Sequence, residues 1–123
     1  MFRYGKRSRE RLKTCHEDLQ RLANEAIKIM DIAILDGHRD KQKQQEAYDN
    51  GHSKLKWPKS KHNKKPSLAL DAAPYPINWN DIGRFERMCG VFEGLAQQMG
   101  IKIRLGRDFS FKDYPHIELI DEE

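Results

Sequence analysis

No stretch of the 123-residue chain approaches the ~18 consecutive apolar residues that a membrane-crossing helix needs. The basic start Met1-Phe2-Arg3-Tyr4-Gly5-Lys6-Arg7 runs into no apolar segment, so no secretory signal peptide is expected. Cysteine is scarce. Cys15 and Cys89 allow at most one disulfide and rule out a four-thiolate zinc site. Two free, partly buried thiols in a protein made in a reducing cytoplasm are the expectation. There is no internal repeat and no clear linker, so one domain is expected over residues 1–123. Hydrophobic residues are 37%, and with eight glycines added they fall just short of the ~45–50% typical of a soluble domain. Full disorder is therefore excluded.

Charge is abundant. Lys and Arg number 23 against 19 Asp and Glu, a net +4. A mildly basic surface favours anionic partners. Nucleic acid is one, and an anionic cell-wall or outer-membrane surface is another. The basic balance and the lysines around Trp57 support a nucleic-acid-binding module. Against it, the chain has no helix-turn-helix glycine pattern, no RNP motif and no paired-cysteine finger.

Residues 1–13 hold six basic residues and read as a loosely ordered arm. Thr14-Cys15-His16-Glu17 fits a capping box, and Leu19, Leu22, Ala23, Ala26, Ile27 and Met30 follow at helical spacing. His16-Glu17 does not open a zinc-protease helix, because position 20 is Gln. Residues 31–36 are short and apolar, end at Gly37, and read as a buried strand. Residues 41–49 are good helix formers stopped by Asn50-Gly51. A long polar loop over 52–67 precedes a second strand over 67–73, broken at Pro74-Tyr75-Pro76. Asp81 is placed to cap a helix through Met99, with Gly100 as its stop. Strands are expected over 101–105 and 115–120. The order α-β-α-β-α-β-β describes one α+β domain, with helices packed on a small, mostly antiparallel sheet.

The chemistry concentrates at element ends. His62 lies in the polar loop, Asp71 near the end of a strand, and His116 opens the last strand. Two His and one carboxylate suit a catalytic zinc with an open fourth position. Spacing alone also allows three unrelated surface groups. Asp113, three residues before His116, either takes a proton from an attacking water and delivers it to a leaving amine or merely ends the loop. Glu118 shares a strand face with His116 and is the rival base.

Ser60-Lys61-His62 … Ala69-Leu70-Asp71, followed by Asp113-Tyr114-Pro115-His116-Ile117-Glu118-Leu119, resembles the zinc peptidases of the VanY and D-alanyl-D-alanine carboxypeptidase group. The chain is most similar to the phage endolysins of that group, the L-alanyl-D-glutamate peptidases. Asp36-Gly37-His38-Arg39 with Gln44-Gln45-Glu46 resembles their Gly-x-Arg … Gln block. The opening helix and the 73–79 and 100–106 segments look similar too, so the likeness spans roughly residues 8–120. Between His62 and Asp71 the chain lacks the group's usual Gly and is about two residues longer.

The resemblance implies a fold like that of hedgehog and D-alanyl-D-alanine peptidase domains. It implies Zn2+ held by His62, Asp71 and His116, with Asp113 as general base and acid. It implies that Arg39 steadies the carbonyl oxygen as it becomes an oxyanion, with Ser60 and Gln44 as lesser contacts, either to substrate or to the groups that hold the site from behind. The expected activity is hydrolysis of the stem peptide of bacterial peptidoglycan at the L-alanyl-D-glutamate bond. Carboxypeptidase removal of a terminal D-Ala is the alternative, and a wall-binding protein without activity is a third reading. A monomer with no membrane insertion and no nucleic-acid partner is expected. Without an export signal it is expected in the host cytoplasm during synthesis, reaching the periplasm or wall at lysis.

Overall fold

The computed structural model describes residues 1–120. Helices α1 (Lys6–Leu12), α2 (Glu17–Ala26), α3 (Lys41–Asp49) and α4 (Ile82–Met99) surround strands β1 (Ile32–Asp36), β2 (Ala69–Pro74), β3 (Ile103–Leu105) and β4 (His116–Leu119). The strands form one antiparallel sheet in the order β1-β2-β4-β3. This is the small α+β architecture expected.

The core is the apolar stripe of α2 and α4 laid on the sheet. Leu19 and Leu22 from α2, Met88 and Phe92 from α4, and Ile34, Leu70 and Ile117 from the strands are all fully buried. The spacing that predicted α4 is the spacing that buries it. Its ends also follow expectation. The Asp81 carboxylate accepts from the Arg84 N–H at 3.2 Å, and Gly100 closes the helix at φ +71°. Cys15 and Cys89 are free and buried.

Three expectations are corrected. Residues 6–12 are a helix, not a loose arm. Tyr4 and Leu12 belong to the core, and the Tyr4 hydroxyl donates to the Ala23 carbonyl at 2.7 Å. Helix α1 lies along the outer edge of β1. There the Ile34 N–H donates to Ser8 Oγ at 2.9 Å and Arg11 donates to the Ile34 carbonyl at 3.0 Å. An edge strand needs its open backbone groups covered, and this duty orders the basic segment. The second correction concerns the α2 cap. His16, through its Nδ1, accepts from the Asp18 N–H at 3.0 Å. Thr14 is diverted: its hydroxyl donates to the Arg11 carbonyl and accepts from the His38 N–H at 2.8 Å. Third, α2 stops at Ala26 rather than Met30, because the chain tightens into i→i+3 turns at Lys28 and Ile29 before entering β1.

Gly37 marks where these parts meet. A Cβ there would collide with Thr14 Oγ1 and the Arg11 carbonyl, so only glycine lets the end of β1 pass so close to the end of α1.

If α1 is part of the core, Leu12→Ala should lower stability by about 2–5 kcal/mol, measured by urea denaturation. Arg7→Ala on the exposed side of the same helix should stay within about 0.5 kcal/mol of the parent. Equal, negligible effects would mean that α1 contributes no stability.

Candidate metal centre

The sheet register builds the site. Asp36 on β1 stands opposite Asp71 on β2, and Asp71 stands opposite His116 on β4. Residues paired across strands point to one face, so the ladder sets three polar side chains in one row. His62 comes from outside the sheet, on a short 3-10 turn spanning Lys61–Asn63. Ser60 caps that turn, accepting from the His62 N–H at 3.2 Å.

His62, Asp71 and His116 converge so that one donor atom from each lies within 4.8 Å of the others. Asp71 Oδ1 lies 3.3 Å from His62 Nε2 and 3.4 Å from His116 Nδ1. His62 is 1% exposed. Its Nδ1 lies 2.7 Å from the Gly37 carbonyl, which fixes the proton on Nδ1 and leaves the Nε2 lone pair facing inward. His116 is set the same way by its other nitrogen: Nε2 lies 2.7 Å from Glu118 Oε1, leaving Nδ1 toward Asp71. A carbonyl or carboxylate behind each imidazole is the usual support of a metal-binding histidine. His62 Nε2 and Asp71 Oδ1 are buried with no hydrogen-bond partner. Buried polar atoms seldom stay unpaired, and an ion shared between these two would satisfy both. The donor set therefore fits a metal ion.

Charge is arranged around the same carboxylate. Burial works against the Asp71 anion, but the His62 and His116 imidazoles hold its pKa well below the usual carboxylate range. Burial likewise opposes a charge on His116. The neighbouring carboxylates of Asp71 and Glu118 outweigh it and push the pKa up to about 9. Asp113 is moved the other way, its pKa raised by burial and then by the negative charge of Asp71. It reaches the cleft because Gly106 lacks a side chain. A Cβ at Gly106 would overlap the Asp113 carbonyl, while the bare backbone accepts the Asp113 N–H at 2.9 Å. Glu118, the rival base, is tied to His116 and to Lys61 Nζ at 3.3 Å, and its pKa lies below the ordinary value.

Arg39 follows β1 and is anchored on three sides. Nε donates to Asp36 at 2.6 Å, one terminal nitrogen to Gln44 Oε1 at 3.0 Å and the other to Asp71 Oδ2 at 3.2 Å. The fork carries further N–H groups, and Arg39 lines the cleft. Ser60 lines it also, although 5% exposed. Gln44 lies behind the site, in the second of its two expected roles. Gln44 is fully buried, and its amide links Arg39, Asn63, Ser53 and the Leu55 carbonyl. It braces Arg39 and the long loop and cannot touch a ligand. Asn63, inside that loop, returns the support by donating to the Arg39 carbonyl at 3.1 Å.

The cluster sits where two grooves meet. One, of about 540 Å³, runs past His62, His116 and the loops around Leu55 and Phe111. The other, of about 420 Å³, runs past Asp71, Leu35 and Trp79. Arg39 and Asp113 line both. Sequence reasoning did not find Asp36, Lys61 or the Gly37 carbonyl as supports. Only the i, i+2 spacing of His116 and Glu118 hinted at their pairing.

Fold and cluster together define the class: a small α+β domain around an open site with the donor set of a metallohydrolase. The family model described as phage L-alanyl-D-glutamate peptidase matches residues 1–120. The L-alanyl-D-glutamate peptidase of Escherichia phage T5 is 36% identical over 124 residues, an alignment covering 96% of this chain and 89% of that protein. The chain belongs to the phage L-alanyl-D-glutamate peptidase family. The crystal structure of the Serratia marcescens L-Ala D-Glu endopeptidase ChiX superposes with a TM-score of 0.82 at 24% identity, covering 96% of this chain and 90% of that one. That likeness confirms the fold.

The His116 environment sets a pH dependence for chelator-treated protein. Its folded pKa of about 9 lies above the ~6.5 of an unfolded histidine. The stabilisation is complete below about pH 6.5 and is lost as pH rises through about 9. Urea midpoints should therefore fall more steeply across this window in the parent than in His116→Gln. Parallel curves would show that His116 is not held as the charged form.

Proposed function

We propose that the protein is a zinc-dependent peptidase that cuts the L-alanyl-D-glutamate bond in the stem peptide of bacterial peptidoglycan, as a phage lysis enzyme. The observation that carries this reading is the position of the cluster. Inward-facing donor atoms of His62, Asp71 and His116, two of them unpartnered, lie at the junction of two open grooves. Family membership supplies the bond.

Zinc held by these three residues would supply a Lewis acid that polarises the scissile carbonyl and makes water easier to deprotonate. The other steps fall to the chain's own side chains. The Asp113 carboxylate takes the proton of the attacking water and passes it to the departing nitrogen. Its raised pKa suits a group that must both accept and release a proton. Arg39, rigidly anchored, offers its remaining N–H groups to the carbonyl oxygen as negative charge develops there. Ser60 contributes its hydroxyl at the cleft wall. Asp36, Gln44, Glu118 and the Gly37 carbonyl hold these groups in place.

The alternative, removal of a terminal D-Ala, requires a closed pocket that ends at the substrate's carboxylate. The cleft continues on both sides of the cluster, which favours cleavage within a peptide. No helix among the described residues is long and apolar enough to cross a membrane. Likeness to a phage peptidase supports action at the wall after release at lysis.

Two measurements test the reading. The purified protein should carry about one zinc per chain, which His116→Ala should lose. Asp113→Ala should keep the zinc and lose ~10²–10⁴-fold in kcat. Full zinc retention in the first variant, or full activity in the second, would remove those assignments.

Digestion of purified sacculi followed by mass spectrometry should show L-Ala carboxyl ends on the glycan and new D-Glu amino termini on released peptides. Loss of terminal D-Ala alone, with the sacculus intact, would transfer the protein to the carboxypeptidase reading.

A further inference from the structure

The two grooves that meet at the cluster differ in charge. The groove beside His62 and His116 carries Lys54, Lys59, Arg104 and Lys112 on its walls. All four are exposed, and none forms an ion pair within 4 Å among the described residues. Lys54 Nζ rests over the Phe111 ring, 4.4 Å from its centroid, and Lys112 Nζ donates only to the Arg107 carbonyl at 2.9 Å. The carboxylates on this side are Asp113 and Glu118, and Glu118 is already matched by Lys61. The groove beside Asp71 lacks that excess of cations: Asp36 and Asp71 are held by Arg39, while Lys43 and Glu46 offset one another, and Leu35, Ala47, Trp79 and Pro115 supply apolar surface.

Positive charge concentrated on one side of the cleft orients a substrate whose halves differ in charge. An L-alanyl-D-glutamyl bond joins such halves. The alanyl side brings a methyl group. The glutamyl side brings a free carboxylate, because glutamate within a chain uses one carboxyl for the onward link and keeps the other.

The geometry points to a fixed direction of binding: the groove of Lys54, Lys59, Arg104 and Lys112 takes the D-glutamyl, leaving-group side and reads its free carboxylate. The Trp79 groove takes the alanyl side. Hydrolysis then adds hydroxyl to the alanyl carbonyl in the Trp79 groove and a proton to the glutamyl nitrogen in the basic one. Asp113, which lines both, stands between the two bonds that change. The inference rests on the peptidase reading and adds its polarity and the residues that set specificity.

The test uses the zinc-loaded full chain and two N-acylated stem peptides. One contains L-Ala-D-Glu with the free carboxylate. In the other that carboxylate is replaced by its neutral amide. The parent should cut the acid with a kcat/KM at least about tenfold above the amide, and the preference should shrink as salt rises. Lys54→Gln combined with Lys112→Gln should lower kcat/KM for the acid, mainly through KM, and leave the amide unchanged, with zinc content intact. Arg104→Gln is an independent second variant. Equal cleavage of both peptides by the parent, or equal losses on both in the variants, would overturn the inference and leave the peptidase reading standing. Cleavage of neither peptide would overturn both.

Discussion

Everything at the centre of this protein depends on keeping one buried carboxylate charged. Asp71 sits mid-sheet, where burial disfavours its anion, and His62, His116 and Arg39 surround it. A buried charge is tolerable only when matched and hydrogen-bonded. The matching groups must therefore be fixed, and each is fixed by a further partner. Arg39 is braced by Asp36 and Gln44, His62 by the Gly37 carbonyl, and His116 by Glu118, itself held by Lys61. The residues around the cluster are largely the consequence of that requirement.

Rigidity here comes from the backbone as much as from side chains. Two glycines let segments approach where any side chain would collide, Gly37 against the end of α1 and Gly106 against the turn that carries Asp113. The long loop between His62 and β2 contains no glycine. It is held instead by Asn63 and by the buried Gln44 amide. The loop's greater length thus leaves the three donors in reach of one another.

The same arrangement explains why one site faces two environments. Arg39 and Asp113 stand where the grooves join, so the polarising and proton-carrying groups serve a chain passing through rather than one that ends there. Lys54, Lys59 and Lys61 of the 52–67 loop, which as sequence gave some support to a nucleic-acid partner, lie along one wall of that passage.

Much was legible in the residues themselves. The apolar spacing of α2 and α4, the Asp81 cap and the Gly100 stop are local properties that the tertiary structure left in place. The ordered blocks around His62, Asp71, Asp113 and His116 marked the donors. What could not be read was every feature that depends on long-range pairing. Helix α1 forms because the edge of β1 needs Ser8 and Arg11, a demand invisible in residues 1–13. Thr14 lost the α2 cap to His16 because Gly37 and His38 pack against it. Gln44 became a buried brace because α3 turns it inward against Arg39. Residue type and spacing thus determined the fold class, and the likeness of the ordered blocks to a known family marked the donors. Sheet register and burial decided which groups meet, which way each imidazole points, and how charge divides across the cleft, because those depend on distances that only the closed chain defines.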